Sequence, residues 1–127
     1  MRIENEFSKT TFTGFKISGA ITMNILVHTG NHMQGREELN VNVADAIGRS
    51  LERFSDRISR IEVHLADENS SNKEGGDDKR CMIEARLDGM QPIAVTHHAA
   101  SIDQAVRGAT DKIKRTLDHH IDKHRDH

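Results

Sequence analysis

The chain has 127 residues, of which 35% are hydrophobic and 30% charged; that length suits one compact domain with a modest core and leaves no room for two. No apolar run approaches the ~20 residues of a membrane span, and residues 1–22 lack the basic start and continuous apolar stretch of a secretory signal. The formal net charge of -2 argues against a strongly basic nucleic-acid binder on totals, but the distribution is uneven. Five acids against one base, Lys73, lie between Asp67 and Asp78, and the remainder is slightly basic. The single cysteine, Cys81, excludes an internal disulfide and fits a reducing compartment. There is no Trp or Tyr, and three of the four Phe fall before residue 23. Base-stacking platforms are therefore not expected, and any RNA contact is expected to run through phosphates and shape.

Residues 1–22 lack a clear period and read as an N-terminal extension, poorly ordered or translated from a wrongly chosen start. Met23 then opens the domain that runs to residue 127; a strand at Thr11–Ile17 is the rival reading. Met23–Thr29 alternates, with Ile25 and Val27 pointing one way, as a strand does. Gly30–Gly35 reads as a loop. From about Leu39 the apolar positions Val43, Ile47, Leu51, Phe54 and Ile58 are spaced four, four, three and four apart, which predicts one stripe of an amphipathic helix. Arg60–Ala66 alternates, with Ile61, Val63 and Leu65 inward. Asp67–Asp78, rich in Gly, Ser, Asn and acids, reads as a mobile hairpin loop.

Lys79–Leu87 alternates again, with Cys81, Ile83, Ala85 and Leu87 on one face. Asp88-Gly89 is a tight-turn dipeptide, and a strand follows at Gln91–His97. Pro92 near its start makes that strand an edge candidate. Ser101 with Gln104 three residues on is a capping-box signature. It opens a helix buried through Ile102, Val106, Ala109, Ile113, Leu117 and Ile121. The order strand, helix, three strands, helix predicts an α+β fold, a four-stranded sheet with both helices on one face.

On the first helix Arg49, Arg53 and Arg57 stand four apart and share an exposed stripe; on the second, Lys112, Arg115, His119 and Lys123 do the same. Several Arg and Lys contacts to phosphate oxygens sum to salt-dependent affinity. The alternative is a solvated helix face in which Glu52, Asp56, Asp111 and Asp118 are local ion-pair partners. His120 and His124 are four apart with His119 adjoining, but no cysteine or glutamate lies at ligand spacing nearby, so no metal site is expected. His97-His98 ends a strand with one ring inward and one outward, and has no Ser, Cys or carboxylate placed as a catalytic partner. Cys81 alternates with core positions and reads as a buried small hydrophobe. Gly75-Gly76 lacks the lysine of a phosphate-cradling loop. The chain does not read as an enzyme.

Three stretches give this pattern a likeness: "LERFSDRISRIEVHL" (Leu51–Leu65), "KRCMIEARLDG" followed by "PIAVTHHA", and "QAVRGATDKIKRTL" (Gln104–Leu117) with its Asp-Lys-x-x-Arg-x-Leu core. In order and spacing they resemble the ribosome hibernation-promoting factor and ribosome-associated inhibitor family, in its short form, from Met23 to about His124. The resemblance implies a fold akin to double-stranded RNA-binding domains with an extra strand. It implies a cytoplasmic factor that sits on the small ribosomal subunit in the mRNA/tRNA channel and blocks translation under stress or in stationary phase. No cofactor, small-molecule substrate or membrane is implied. On matching positions, Arg53, Lys112 and Arg115 correspond to the family's basic RNA-contacting residues. The acidic loop Asp67–Asp78 is longer than in short members and, repelling phosphate, is expected to point away from RNA. The alternatives are a double-stranded RNA-binding module outside the ribosome, or a protein-interaction domain that has lost RNA binding.

Overall fold

Alternating apolar residues in four strands build the centre of the molecule, in a computed structural model that describes the backbone of residues 8–17, 20–30, 36–67 and 78–125 and the side chains of 24–30, 37–67 and 78–121. In chain order the elements are β1 (Ser8–Ile17), β2 (Ala20–Gly30), α1 (Arg36–Ser50), β3 (Ile58–Asp67), β4 (Lys79–Leu87), β5 (Ile93–Ala99) and α2 (Ile102–Arg125). The sheet order is β1-β2-β3-β4-β5. Only β2 and β3 run parallel; the other pairs are antiparallel. Parallel neighbours need a long crossover, and α1 supplies it.

Period-two alternation decides which face is buried. Ile25 and Val27 of β2, Ile61, Val63 and Leu65 of β3, and Cys81, Ile83, Ala85 and Leu87 of β4 are all buried. Their neighbours Leu26, His28, Glu62, His64, Met82 and Glu84 are partly open on the opposite face. Both helices cover the first face: α1 lies over β1 and β2, α2 over β4 and β5. Val43, Ala44 and Ile47 of α1 meet Ala105, Val106, Ala109, Ile113, Leu117 and Ile121 of α2 in one core cluster. Each large aliphatic buried there contributes about 1.5–3 kcal/mol. The predicted order of strand, helix, three strands and helix is therefore the architecture of β2 to α2.

A buried polar pair docks α1. The Thr29 hydroxyl donates to Asn40 Oδ1, and the Asn40 amide donates to the Val27 carbonyl at 3.4 Å. Both side chains are fully buried, so each needs these partners to offset its desolvation. On α2, the Ser101 hydroxyl accepts the Gln104 N–H at 3.1 Å, which is half of the expected capping box. Gly89 takes φ +73° in the turn between β4 and β5, where a side chain would be strained. β5 is an edge strand, as Pro92 suggested, but it begins two residues later than expected because Pro92 has no N–H to give a ladder. Gly108 of α2 is a close approach: a Cβ there would lie 2.1 Å from Cδ2 of His97. The missing side chain lets the His97 ring pack against the helix.

Two expectations need correction. Residues 8–17, assigned by sequence to a poorly ordered extension before Met23 with a strand at Thr11–Ile17 as the rival reading, form β1, and β2 begins at Ala20, so the rival was the better reading and the sheet has a fifth strand. The register shifts between Phe15 and Lys16, where Thr22 of β2 is left without a partner in the ladder; β1 itself shows no clean period because its apolar residues Phe12, Phe15 and Ile17 are spaced three and two apart. The stripe from Leu39 to Ile58 is likewise not one helix. α1 ends at Ser50, Glu52–Phe54 is a 3-10 turn, and Ile58 opens β3. Bonds from Phe54 N–H to Leu51, Ser55 to Glu52 and Arg57 to Phe54 step back three residues rather than four. The tighter winding still turns Leu51, Phe54 and Ile58 into the core, so the helical spacing survives without the helix. The loops expected within 31–35 and 68–77 lie outside the described residues; at the base of the second, Lys79 Nζ stands 3.5 Å from Asp67.

Candidate nucleic-acid interface

The end of α1, the 3-10 turn and the flank of α2 facing them form a shallow basic strip. Arg49, in the last turn of α1, Glu52 and Arg53 line one depression together with Lys114 of α2. Arg53 and Arg57 line the next, with Phe54, Asp56, Asp118 and Ile121. Arg53 is common to both. Its guanidinium is held 2.8 Å from Asp118 and lies over the Phe54 ring at 4.5 Å. Arg49 pairs with Asp45, one helical turn earlier, at 2.9 Å. Both pairs are exposed, and pairs of this kind contribute about 0–1 kcal/mol. A phosphate can therefore compete for either guanidinium at little cost in stability, and the planar fork can engage it bidentately.

The candidate residues are thus divided. Arg49, Arg53 and Arg57 come together, although only Arg49 lies on α1: Arg53 sits in the 3-10 turn and Arg57 in the turn before β3. Lys112 is not on that strip. Its ammonium donates to the Thr96 carbonyl of β5 at 2.8 Å, on the sheet-edge flank of α2. Arg115 and His119 are exposed on the outer surface of α2, and the side chain of Lys123 lies outside the described residues, as does that of His124. The reason is angular. At about 100° per residue, Lys112 and Lys114 stand on opposite flanks of the buried Ile113–Leu117 line. Lys114, which the sequence reading passed over, is the lysine that faces α1. Its signal was present in the sequence: it lies four residues before Asp118, the partner of Arg53.

The opposite sheet face holds another cluster. His28 of β2 and His64 of β3 are register partners in the parallel ladder, and their rings stack with centroids 4.4 Å apart. Burial pushes the His64 imidazole below its ordinary pKa, with the His28 charge adding to this and Glu62 opposing it. On the helix-covered face, burial pushes the Cys81 thiol up to about 12, which suits an inert core residue rather than a nucleophile.

A profile of the family described as sigma 54 modulation protein / S30EA ribosomal protein matches residues 26–125. The chain belongs to this family. No curated protein matches it. As a member of the sigma 54 modulation / S30EA ribosomal protein family it is a ribosome-associated factor concerned with hibernation and translation, and that family is non-enzymatic. The match runs from within β2 to the end of α2, so it contains the whole basic strip and leaves β1 outside. No described helix is long and apolar enough to cross a membrane.

Proposed function

We propose that this chain binds the small ribosomal subunit in the channel used by mRNA and tRNA, and so silences cytoplasmic translation under stress or in stationary phase. The observation that supports this reading most is the coincidence of the family match with the strip of Arg49, Arg53, Arg57 and Lys114. The strip's four cations outnumber the acids that line it, Glu52, Asp56 and Asp118, which serve as displaceable partners, and it lies on a junction of two helices and a strand. It reads phosphate and shape rather than base identity, which suits a highly structured RNA and needs no aromatic platform. Inhibition is then occlusion: the protein holds the channel, and no bond is made or broken.

Sedimentation of lysates from growing and starved cells tests the reading. The protein should migrate with small subunits or whole ribosomes in starved cells and leave them as salt rises. Ribosome-free, RNase-sensitive complexes would instead point to a double-stranded RNA-binding module.

A further inference from the structure

We infer that His28, Glu62 and His64 form a binding site for a single divalent transition-metal cation of the zinc class on the open face of the sheet. Among the described residues this is the one group of three metal-ligating side chains whose donor atoms all lie within 4.8 Å of one another. The parallel register of β2 and β3 puts His28 directly beside His64, and Glu62, two residues before His64 on the same strand, points to the same face. Nε2 of each histidine stands 3.7 Å from the same carboxylate oxygen, Oε1 of Glu62.

Two imidazoles and one carboxylate are the ligand set of three-ligand zinc sites, with the fourth position left to water. Oxygen-preferring Mg²⁺ and Ca²⁺ are poorly served by such a set. Tetrahedral coordination with Zn–N bonds of about 2.0–2.1 Å requires donors about 3.3 Å apart. The observed 3.7 Å separations close to that value with shifts of a few tenths of an ångström. The two rings lie within 12° of parallel, so their lone pairs do not yet converge. Binding must open the stack by rotating the rings, and side chains that are 23% and 39% exposed have the room to turn.

The surroundings favour this assignment. Arg60 holds the other carboxylate oxygen, Oε2, at 3.1 Å. It thereby fixes the carboxylate and leaves Oε1 aimed at the rings, the kind of outer contact that orients a metal ligand. Glu84, the register partner of Glu62 on β4, adds negative charge, while Met82 and Leu26 border the site on the same face. The cluster is on the sheet surface opposite the basic strip, so a bound cation would tie β2 to β3 without using any residue assigned to RNA.

The test is calorimetric titration of the full chain with Zn²⁺ in excess Mg²⁺, together with the visible spectrum of its Co²⁺ complex. One tight equivalent with a tetrahedral Co²⁺ spectrum is expected. His28→Gln, Glu62→Gln and His64→Gln should each weaken it by about tenfold or more, whereas His119→Gln with His120→Gln should not. In the unaltered chain, Zn²⁺ should shift the ring resonances of His28 and His64, a readout independent of any variant. Absence of a tight equivalent, its loss in the His119/His120 variant alone, or ring shifts confined to His119 and His120 would overturn the assignment.

Discussion

Reversing two charges on the strip tests the RNA interface where the structure makes it separable from folding. Arg49 and Lys114 line the same depression, and neither is buried in the core. Arg49→Glu removes an exposed pair with Asp45 worth about 0.3–0.5 kcal/mol and creates repulsion of similar size. Lys114→Glu is a surface change that costs about 0.5 kcal/mol or less. Together they should cost about 1 kcal/mol of stability and leave the domain folded. If Arg49, Arg53, Arg57 and Lys114 each neutralise one phosphate, the log–log salt slope is about 3, and raising salt from 50 to 200 mM weakens binding roughly 60-fold. Losing two contacts should halve the slope to about 1.5. It should also weaken affinity by more than about tenfold, or 1.4 kcal/mol. The assay is co-sedimentation with purified small subunits across a salt series. Arg86→Glu on the opposite sheet face should behave as the unaltered chain, and Asp118→Asn, which releases Arg53 from its carboxylate, should tighten binding. A folded Arg49→Glu/Lys114→Glu protein with unchanged affinity and slope would refute the interface.

Other outcomes follow from packing. Gly108→Ala forces a Cβ to 2.1–2.5 Å from the His97 ring and should destabilise by about 1–3 kcal/mol in denaturant melts. With His97→Ala the same change should become neutral or stabilising, because alanine is the better helix former; equal costs in both backgrounds would show the contact is unimportant. Deleting residues 1–19 removes β1 and bares the edge of β2, so the melting temperature should drop while small-subunit binding, which uses α1, the 3-10 turn and α2, persists; loss of binding in a folded truncation would contradict the placement of the site. The Cys81 thiol, buried and pushed up to about 12, should resist alkylation at pH 8 until denaturant opens the core, and rapid stoichiometric labelling of native protein would disprove its burial.

Strand-level structure was legible because burial on one face imposes a period of two: Ile61, Val63 and Leu65, or Cys81, Ile83 and Ala85, declare their face without any tertiary information. The end of α1 was not legible. A 3-10 turn that keeps Leu51 and Phe54 inward leaves the same apolar spacing as a continuing helix, so Arg53 and Arg57 looked like helix residues. β1 was legible only as the rival strand at Thr11–Ile17, because Phe12, Phe15 and Ile17 do not keep a period of two. For the basic strip, charge alone could not tell the flank bearing Lys112 from the flank bearing Lys114; the Lys112 bond to Thr96 of β5 depends on which side of α2 the sheet edge occupies. The His28–Glu62–His64 cluster joins residues more than thirty positions apart through the register of a parallel ladder, which no local pattern specifies.

The central claim is that the protein occupies the decoding channel, and a cryo-EM map of small subunits reconstituted with the full chain tests it most directly. The account predicts density for the domain inside the mRNA/tRNA channel, with Arg49, Arg53, Arg57 and Lys114 against ribosomal RNA phosphates and the open sheet face turned away from them. Density on the outer surface of the subunit, or a channel contact made by the open sheet face instead, would contradict it.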